Sequence, residues 1–184
     1  MGPILFFAPV KRTPLETIIQ KATELGVSKF SPVLTERCVV SKINSERLAA
    51  IALEAAEQCG RLSIPSVDEP MPFADLFADW PAGRRLMYCD EAGDDPNAEW
   101  GGGEGRAAPA LEALSASNSN ANEWGILIGP EGGFSPAERD ALRARKSVLP
   151  VTLGPRILRA DTATIAALAL FQAVQGDWRG GQKA

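Results

Sequence analysis

The stretch Trp124-Gly125-Ile126-Leu127-Ile128-Gly129-Pro130-Glu131-Gly132-Gly133-Phe134-Ser135-Pro136-Ala137-Glu138 carries three structural signals in succession. Residues 124–128 form a short apolar run, long enough for a strand and too short for a helix. Gly129, Gly132 and Gly133 then permit positive φ and close backbone approach, so the chain can turn sharply. Ser135-Pro136-Ala137-Glu138 combines a capping serine, proline at the first helical position and glutamate three residues after the cap. This predicts a helix to about Arg145. Strand, glycine turn and helix in immediate succession make a βα unit, the building block of a parallel sheet covered by helices.

The alternation extends in both directions. Downstream, residues 148–153 read as a strand and Gly154-Pro155-Arg156-Ile157-Leu158-Arg159-Ala160 as a second glycine-bearing turn. Asp161 then caps a final helix from Thr162 to about Gln175, stopped by Gly176. Upstream, residues 4–10 are a strand-like apolar run. Thr13-Pro14-Leu15-Glu16 repeats the capping pattern, and Leu15, Ile18, Ile19, Ala22 and Leu25 follow at helical spacing to a stop at Gly26. Residues 30–34 read as a strand, with Pro32 suggesting an edge or an early position. Ser45 opens a second helix to Cys59, in which Ile51, Ala52, Ala55, Ala56 and Cys59 make a narrow small-residue face. Val67 begins a further strand, residues 73–80 a short helix, and residues 84–89 another strand. Residues 91–122 are rich in Gly, Ala, Ser, Asn and acidic side chains; they predict a mobile insertion with a short helix near residues 109–114. The expected fold is a single α/β domain over residues 1–184, with a mostly parallel sheet flanked by helices.

The 184 residues contain no histidine. That excludes a Ser-His-Asp triad, a Cys-His pair, a histidine zinc site and an imidazole general base, so any hard chemistry points to a borrowed cofactor. Cys38, Cys59 and Cys89 lie 21 and 30 positions apart and form no CxxC pair, so neither a metal site nor a disulfide scaffold is expected. The longest apolar runs, 4–10 and 165–174, fall short of the ~18 residues of a membrane helix. Met1-Gly2-Pro3 lacks the basic start of a signal peptide, so the expected location is cytoplasmic. The net charge of −4 is unevenly spread. Residues 1–61 carry eight Lys/Arg against six Asp/Glu, residues 62–138 three against fourteen, and residues 139–184 eight against three. Both ends can therefore face a polyanion despite the acidic total, although solvated charge with no partner reads the same way.

Ligands bind at the carboxyl ends of strands in open α/β sheets, and both glycine-bearing turns sit there. The first, 129–134, matches neither GxGxxG nor GxxxxGK[ST]; it is a small-ligand cradle or a plain tight turn. In the second, Ile157 and Leu158 can cover a flat apolar group such as an adenine. Arg156 and Arg159 can hold a phosphate, a carboxylate or a polarised base oxygen, or can be structural partners of Asp161 or Glu131. Glu54, Gln58 and Arg61 share neighbouring positions on one helix, either as a solvated face or, with Lys21 and Arg37, as an RNA or dimer contact.

An ordered set of motifs runs through the chain. It comprises Lys21-Ala22-Thr23-Glu24-Leu25-Gly26-Val27, Glu36-Arg37, Glu54-Ala55-Ala56-Glu57-Gln58-Cys59-Gly60-Arg61 with Pro65, Ile128 to Phe134, and Leu153 to Arg159. The set resembles the bacterial RsmE-type 16S rRNA (uracil-N3)-methyltransferases, named for uridine 1498, of the SPOUT superfamily. The resemblance covers nearly the whole chain outside 91–122.

The resemblance implies a SPOUT-type fold with a C-terminal deep trefoil knot, an S-adenosyl-L-methionine cofactor, 16S rRNA of the small ribosomal subunit as partner, and a homodimer. By motif, Ile128, Gly129, Glu131, Gly132 and Gly133 form one wall of the cofactor pocket, and Leu153, Gly154, Ile157, Leu158 and Thr162 the other. Arg159 and then Arg156 are the candidate catalytic groups; Lys21, Glu24, Arg37, Glu54, Gln58 and Arg61 are candidates for substrate contact. The chain departs from the family pattern at Ala160-Asp161-Thr162-Ala163, where Thr-Glu-Thr-Ala is usual. Full-length members carry an N-terminal PUA-like RNA-binding domain, which is expected to be absent from these 184 residues. Two other readings remain: a cofactor-binding dimerisation module that is inactive without that domain, and a generic α/β nucleotide-binding protein.

Overall fold

The computed structural model describes residues 2–40, 42–90, 107–117 and 123–179. Its strands are β1 (Ile4–Phe7), β2 (Lys29–Leu34), β3 (Ser66–Val67), β4 (Met71–Pro72), β5 (Arg85–Cys89), β6 (Ala108–Pro109), β7 (Trp124–Ile128) and β8 (Val148–Thr152). Its helices are α1 (Arg12–Glu24), α2 (Ser45–Gln58), α3 (Ala110–Ala116), α4 (Pro136–Arg143) and α5 (Ala160–Val174). The sheet runs β3-β2-β1-β7-β5-β8-β6, with β4 also beside β2. Every pairing is parallel, so all strand carboxyl ends meet one edge.

Strand side chains alternate between two cores. Leu5, Phe7, Phe30, Met87, Ile126, Ile128 and Val151 point into the larger core, with the apolar stripes of α1, α2, α3 and α5. Phe6, Val33, Leu86, Tyr88 and Leu127 point to the other side, against Leu142 of α4, Phe134 and the 3-10 segment Phe73–Asp75 with Leu76, Phe77 and Trp80. The small-residue face of α2 is consumed within the chain: Ala52, Ala55 and Ala56 are buried, and α2 packs on α1.

Some helix starts differ from the local reading. Helix α1 begins at Arg12, so Thr13 lies inside its first turn and caps nothing. Glu16 is drawn away from the capping box by two arginines instead. Helix α2 opens at Ser45 as expected, capped by Asn44, which accepts from the Arg47 amide. Helix α5 starts one residue before Asp161, whose carboxylate accepts from the Thr162 amide. Only α4 keeps the expected capping box, with Ser135 and Glu138 reciprocally bonded. Of residues 73–80, expected as a helix, only Phe73–Asp75 form a 3-10 turn. Pro32 is not on an edge strand, since β2 lies inside the sheet. Its outer neighbours are the two-residue strands β3 and β4, and Pro32 falls between their registers.

The expected insertion contains structure. Residues 107–117 add β6 to the sheet beside β8, and α3 buries Leu114 completely under α5. The rest of that segment, 91–106 and 118–122, lies outside the described residues.

Gln172 on α5 donates to Leu25 O at 2.7 Å and accepts from the Asp177 amide at 3.1 Å, so the carboxyl ends of α1 and α5 close together. Near the amino end of α1, Glu16 receives Arg47 Nε of α2 at 2.7 Å and Arg12 Nε at 2.9 Å. The Arg47 and then the Arg12 hydrogen bonds hold its carboxyl at about 2, below the ordinary 4.5. A depressed folded-state value means that the stabilisation is complete above about pH 4.5 and is lost as pH falls toward 2. Thermal unfolding of wild type and Glu16→Gln should therefore differ most at neutral pH and converge as pH approaches 2; a gap that persists at low pH contradicts the pairing.

Candidate active site

The carboxyl ends of β5 and β7 and the first turns of α4 and α5 enclose a cleft of about 200 Å³. One wall is the glycine turn that follows β7. The Gly133 amide donates to Pro130 O at 2.8 Å, and Gly133 holds φ +66°, a left-handed conformation that glycine adopts without strain. Gly129 has no room for a side chain, because a Cβ there would stand 2.6 Å from the Phe134 ring. That ring fills the space, packing edge-on against Tyr88 at 5.2 Å between centroids. Ile157, Leu158, Ala160 and Ala163 form the opposite wall, with Ile157 82% exposed at the mouth.

The inner end is polar. Asp90, only 3% exposed, accepts from Arg143 Nε at 2.9 Å and Nη2 at 2.6 Å, and from Arg139 Nε at 3.3 Å. Arg139 and Arg143 lie one helical turn apart on α4, so one buried carboxylate holds two successive turns of that helix. The Tyr88 hydroxyl is buried without a hydrogen-bond partner among the described residues. Burial, and then the charge of Asp90, push its titration upward, so the phenol stays neutral.

The predicted residues divide clearly. Ile128, Gly129, Glu131, Gly132, Gly133, Ile157, Leu158 and Arg37 line the cleft together. Arg37 reaches it from the loop after β2, its Nη1 donating to Gly132 O at 3.1 Å. Leu153 packs on the core beside the second turn, Gly154 takes φ +118°, and Thr162 is exposed on α5; none of the three lines the cleft. Arg156 and Arg159 are exposed on either side of Ile157 and Leu158, and among the described residues neither forms an ion pair. Lys21 and Glu24 pair with each other at 2.8 Å, while Glu54 and Gln58 are exposed on α2 away from the lining. Arg61 is occupied structurally, donating to Thr23 O at 2.7 Å and Val27 O at 2.9 Å. Tyr88, Asp90 and Arg139 were missed. The signals for them were a carboxylate at the end of a buried strand and two arginines at i,i+4 on the helix after the glycine turn.

This is an open parallel α/β protein with a cleft at the strand carboxyl ends. The chain belongs to the RNA methyltransferase domain family, whose sequence profile matches residues 3–172. It is similar to the ribosomal RNA small subunit methyltransferase E of Rickettsia conorii, 32% identical over 165 residues, covering 90% of this chain and 62% of that protein. The Bacillus subtilis protein of the same name is 36% identical, covering 86% and 60% respectively. The chain thus spans less than two thirds of the length of these relatives. The crystal structure of a ribosomal RNA small subunit methyltransferase E from Neisseria gonorrhoeae, bound to S-adenosyl methionine, superimposes with a TM-score of 0.78. It is 29% identical, over 97% of this chain and 68% of that one. The TrmH/SpoU tRNA modifying enzyme of A. aeolicus, 14% identical with a TM-score of 0.57, shares the fold.

Gly129→Ala should force the Phe134 ring aside and lower stability by about 1–3 kcal/mol in urea unfolding, as overpacking does. Arg61→Ala removes two carbonyl bonds made by a charged donor and should lower stability by about 1.5–3 kcal/mol. A variant that unfolds like wild type removes Arg61 from its structural position.

Proposed function

We propose that this chain is the catalytic domain of an S-adenosyl-L-methionine-dependent methyltransferase acting on N3 of a uridine in 16S rRNA, uridine 1498 by family resemblance. The observation carrying this is the cleft at the carboxyl ends of β5 and β7, lined by the residues that the sequence motif singles out. The names of the relatives, and the S-adenosyl methionine bound by the Neisseria gonorrhoeae protein, support the same reading.

The residues fit that cofactor. Ile128, Phe134, Leu158 and Ala163 offer apolar surface to a flat base, and the exposed glycines 132 and 133 allow close backbone approach. Glu131 places a carboxylate at a cleft that must accept a cation, whereas the charge of Asp90 is met by Arg139 and Arg143. Once bound, the cofactor supplies an activated methyl group, so the protein's task is chiefly to position and to stabilise charge.

The uracil must be unpaired, because N3 is hidden within a Watson–Crick pair. As its N3 proton leaves, charge spreads onto O2 and O4, and the exposed Arg159, with Arg156 as second choice, stabilises it. Glu131, Asp161 or solvent receives the proton. Lys21, Glu24, Glu54 and Gln58 remain candidate RNA contacts outside the cleft.

The knot belongs to the same proposal. Strand β7 lies between β1 and β5, and β8 between β5 and β6, so two late strands occupy gaps between earlier ones. Helix α5 then returns over α1 and α3, a path that favours threading. A homodimer covering the exposed Ile157 and Ile165 accords with their apolar character. A second reading is that this domain binds the cofactor but transfers the methyl group only together with an RNA-binding domain.

The test is calorimetric titration with S-adenosylhomocysteine, then methyl transfer to 30S particles with mapping of the product nucleotide. Arg159→Ala should keep affinity within about twofold and lower transfer ~10²-fold or more. Full transfer by that variant overturns the role of Arg159. Binding without any transfer by the wild-type chain favours the second reading, and absence of binding removes both.

A further inference from the structure

We propose that Glu138 is a positioning residue for the cleft: through the Glu36 amide it holds the turn from which Arg37 secures the glycine wall. This rests on the reading of the cleft as the cofactor site.

Glu138 is 8% exposed on the first turn of α4, and both its carboxylate oxygens are engaged. Oε2 accepts from the Ser135 amide at 2.9 Å, which completes the capping box of its own helix. Oε1 accepts from the Glu36 amide at 2.8 Å, across 102 positions of sequence. Capping needs only the first bond; the second is a tertiary tether.

The tethered segment is compact. The Cys38 amide closes a turn onto Thr35 O at 3.1 Å, and Cys38 Sγ lies 3.2 Å from Pro9 O and 3.0 Å from Val40 O. Arg37, between Glu36 and Cys38, donates from Nη1 to Gly132 O at 3.1 Å. The approach is close: a Cβ on Gly132 would stand 3.5 Å from Arg37 Cβ. Glu138 therefore acts on Gly132 through the 35–38 turn, a route that the capping bond of its own helix does not supply. The glycine wall is the part of the cleft with the least side-chain packing of its own, so its geometry depends on such ties.

Glutamate is specifically required. Two amide donors converge on the side chain, and a carboxylate offers an acceptor to each. Glutamine supplies one oxygen and turns an NH₂ toward the other amide.

The experiment compares wild type, Glu138→Gln, Arg37→Ala, their double variant and Ser135→Ala. It reads S-adenosylhomocysteine affinity by calorimetry and amide exchange over residues 33–40. Ser135→Ala is the control, because it weakens the same cap without touching Glu36. Glu138→Gln and Arg37→Ala should each weaken binding about fivefold to tenfold, and the double variant no more than about twofold further, because both cut one path. Ser135→Ala should stay within about twofold even if its melting temperature falls equally. Exchange over 33–40 should accelerate in Glu138→Gln and not in Ser135→Ala. Equal weakening by Ser135→Ala, multiplicative loss in the double variant, or unchanged exchange in Glu138→Gln each overturns the proposal. If wild type binds no S-adenosylhomocysteine, the cofactor reading fails, and the exchange comparison alone decides the tether.

Discussion

The position of β7 between β1 and β5 is the constraint on which the rest of the molecule depends. In a fully parallel sheet all strand ends lie on one edge, so a strand inserted at the centre delivers its following turn to the middle of that edge. Ile128 pairs with Phe7, and Leu127 with Tyr88, which sets the glycine turn beside the end of β5. The insertion is tight. At Gly125 a Cβ would stand 2.7 Å from the Phe6 ring and 2.9 Å from Leu86 Cδ1, so this strand can pass only with a bare backbone there.

From that placement α4 acquires its role. It is short, Pro136–Arg143, and charged on much of its surface, so propensity alone would not hold it. Two buried carboxylates hold it instead. Asp90 at the end of β5 takes Arg139 and Arg143, while Glu138 reaches back to the loop after β2. A buried charge that loses its partner is costly, so these ties resist partial opening and keep the cleft in one shape. A preorganised cleft suits chemistry in which the reactive group arrives already activated and the protein contributes placement and countercharge. The chain contains no histidine, and the charged and phenolic side chains lining the cleft are Arg37, Arg139, Asp90, Glu131 and Tyr88.

Where local signals competed with tertiary partners, the partners prevailed. Thr13 and Glu16 spell a capping box, yet Arg12 and Arg47 bind Glu16 and the helix starts earlier. The same motif at Ser135 and Glu138 forms as written, with Oε2 of Glu138 serving the cap and Oε1 the Glu36 amide. Arg61 follows the stop glycine of α2 and looked available to RNA. Its guanidinium instead binds Thr23 and Val27 carbonyls at the end of α1, a contact that no spacing within α2 encodes. Residues 107–117 read as part of a low-complexity insertion because their strand is two residues long and their helix seven. Burial of Leu114 under α5 makes them core.

What the sequence determined by itself was the order of the longer elements, their mostly parallel arrangement and the two glycine turns, since these follow from hydrophobic period and backbone freedom within a few residues. Its motifs also named seven residues of the cleft walls, Ile128, Gly129, Glu131, Gly132, Gly133, Ile157 and Leu158. Only the tertiary structure decided that β7 enters between β1 and β5, that Tyr88, Asp90 and Arg139 complete the inner end, and that Arg37 joins the cleft while Arg61 does not. Those outcomes are pairings between groups far apart in the chain, and such pairings are chosen by packing, which local pattern does not contain.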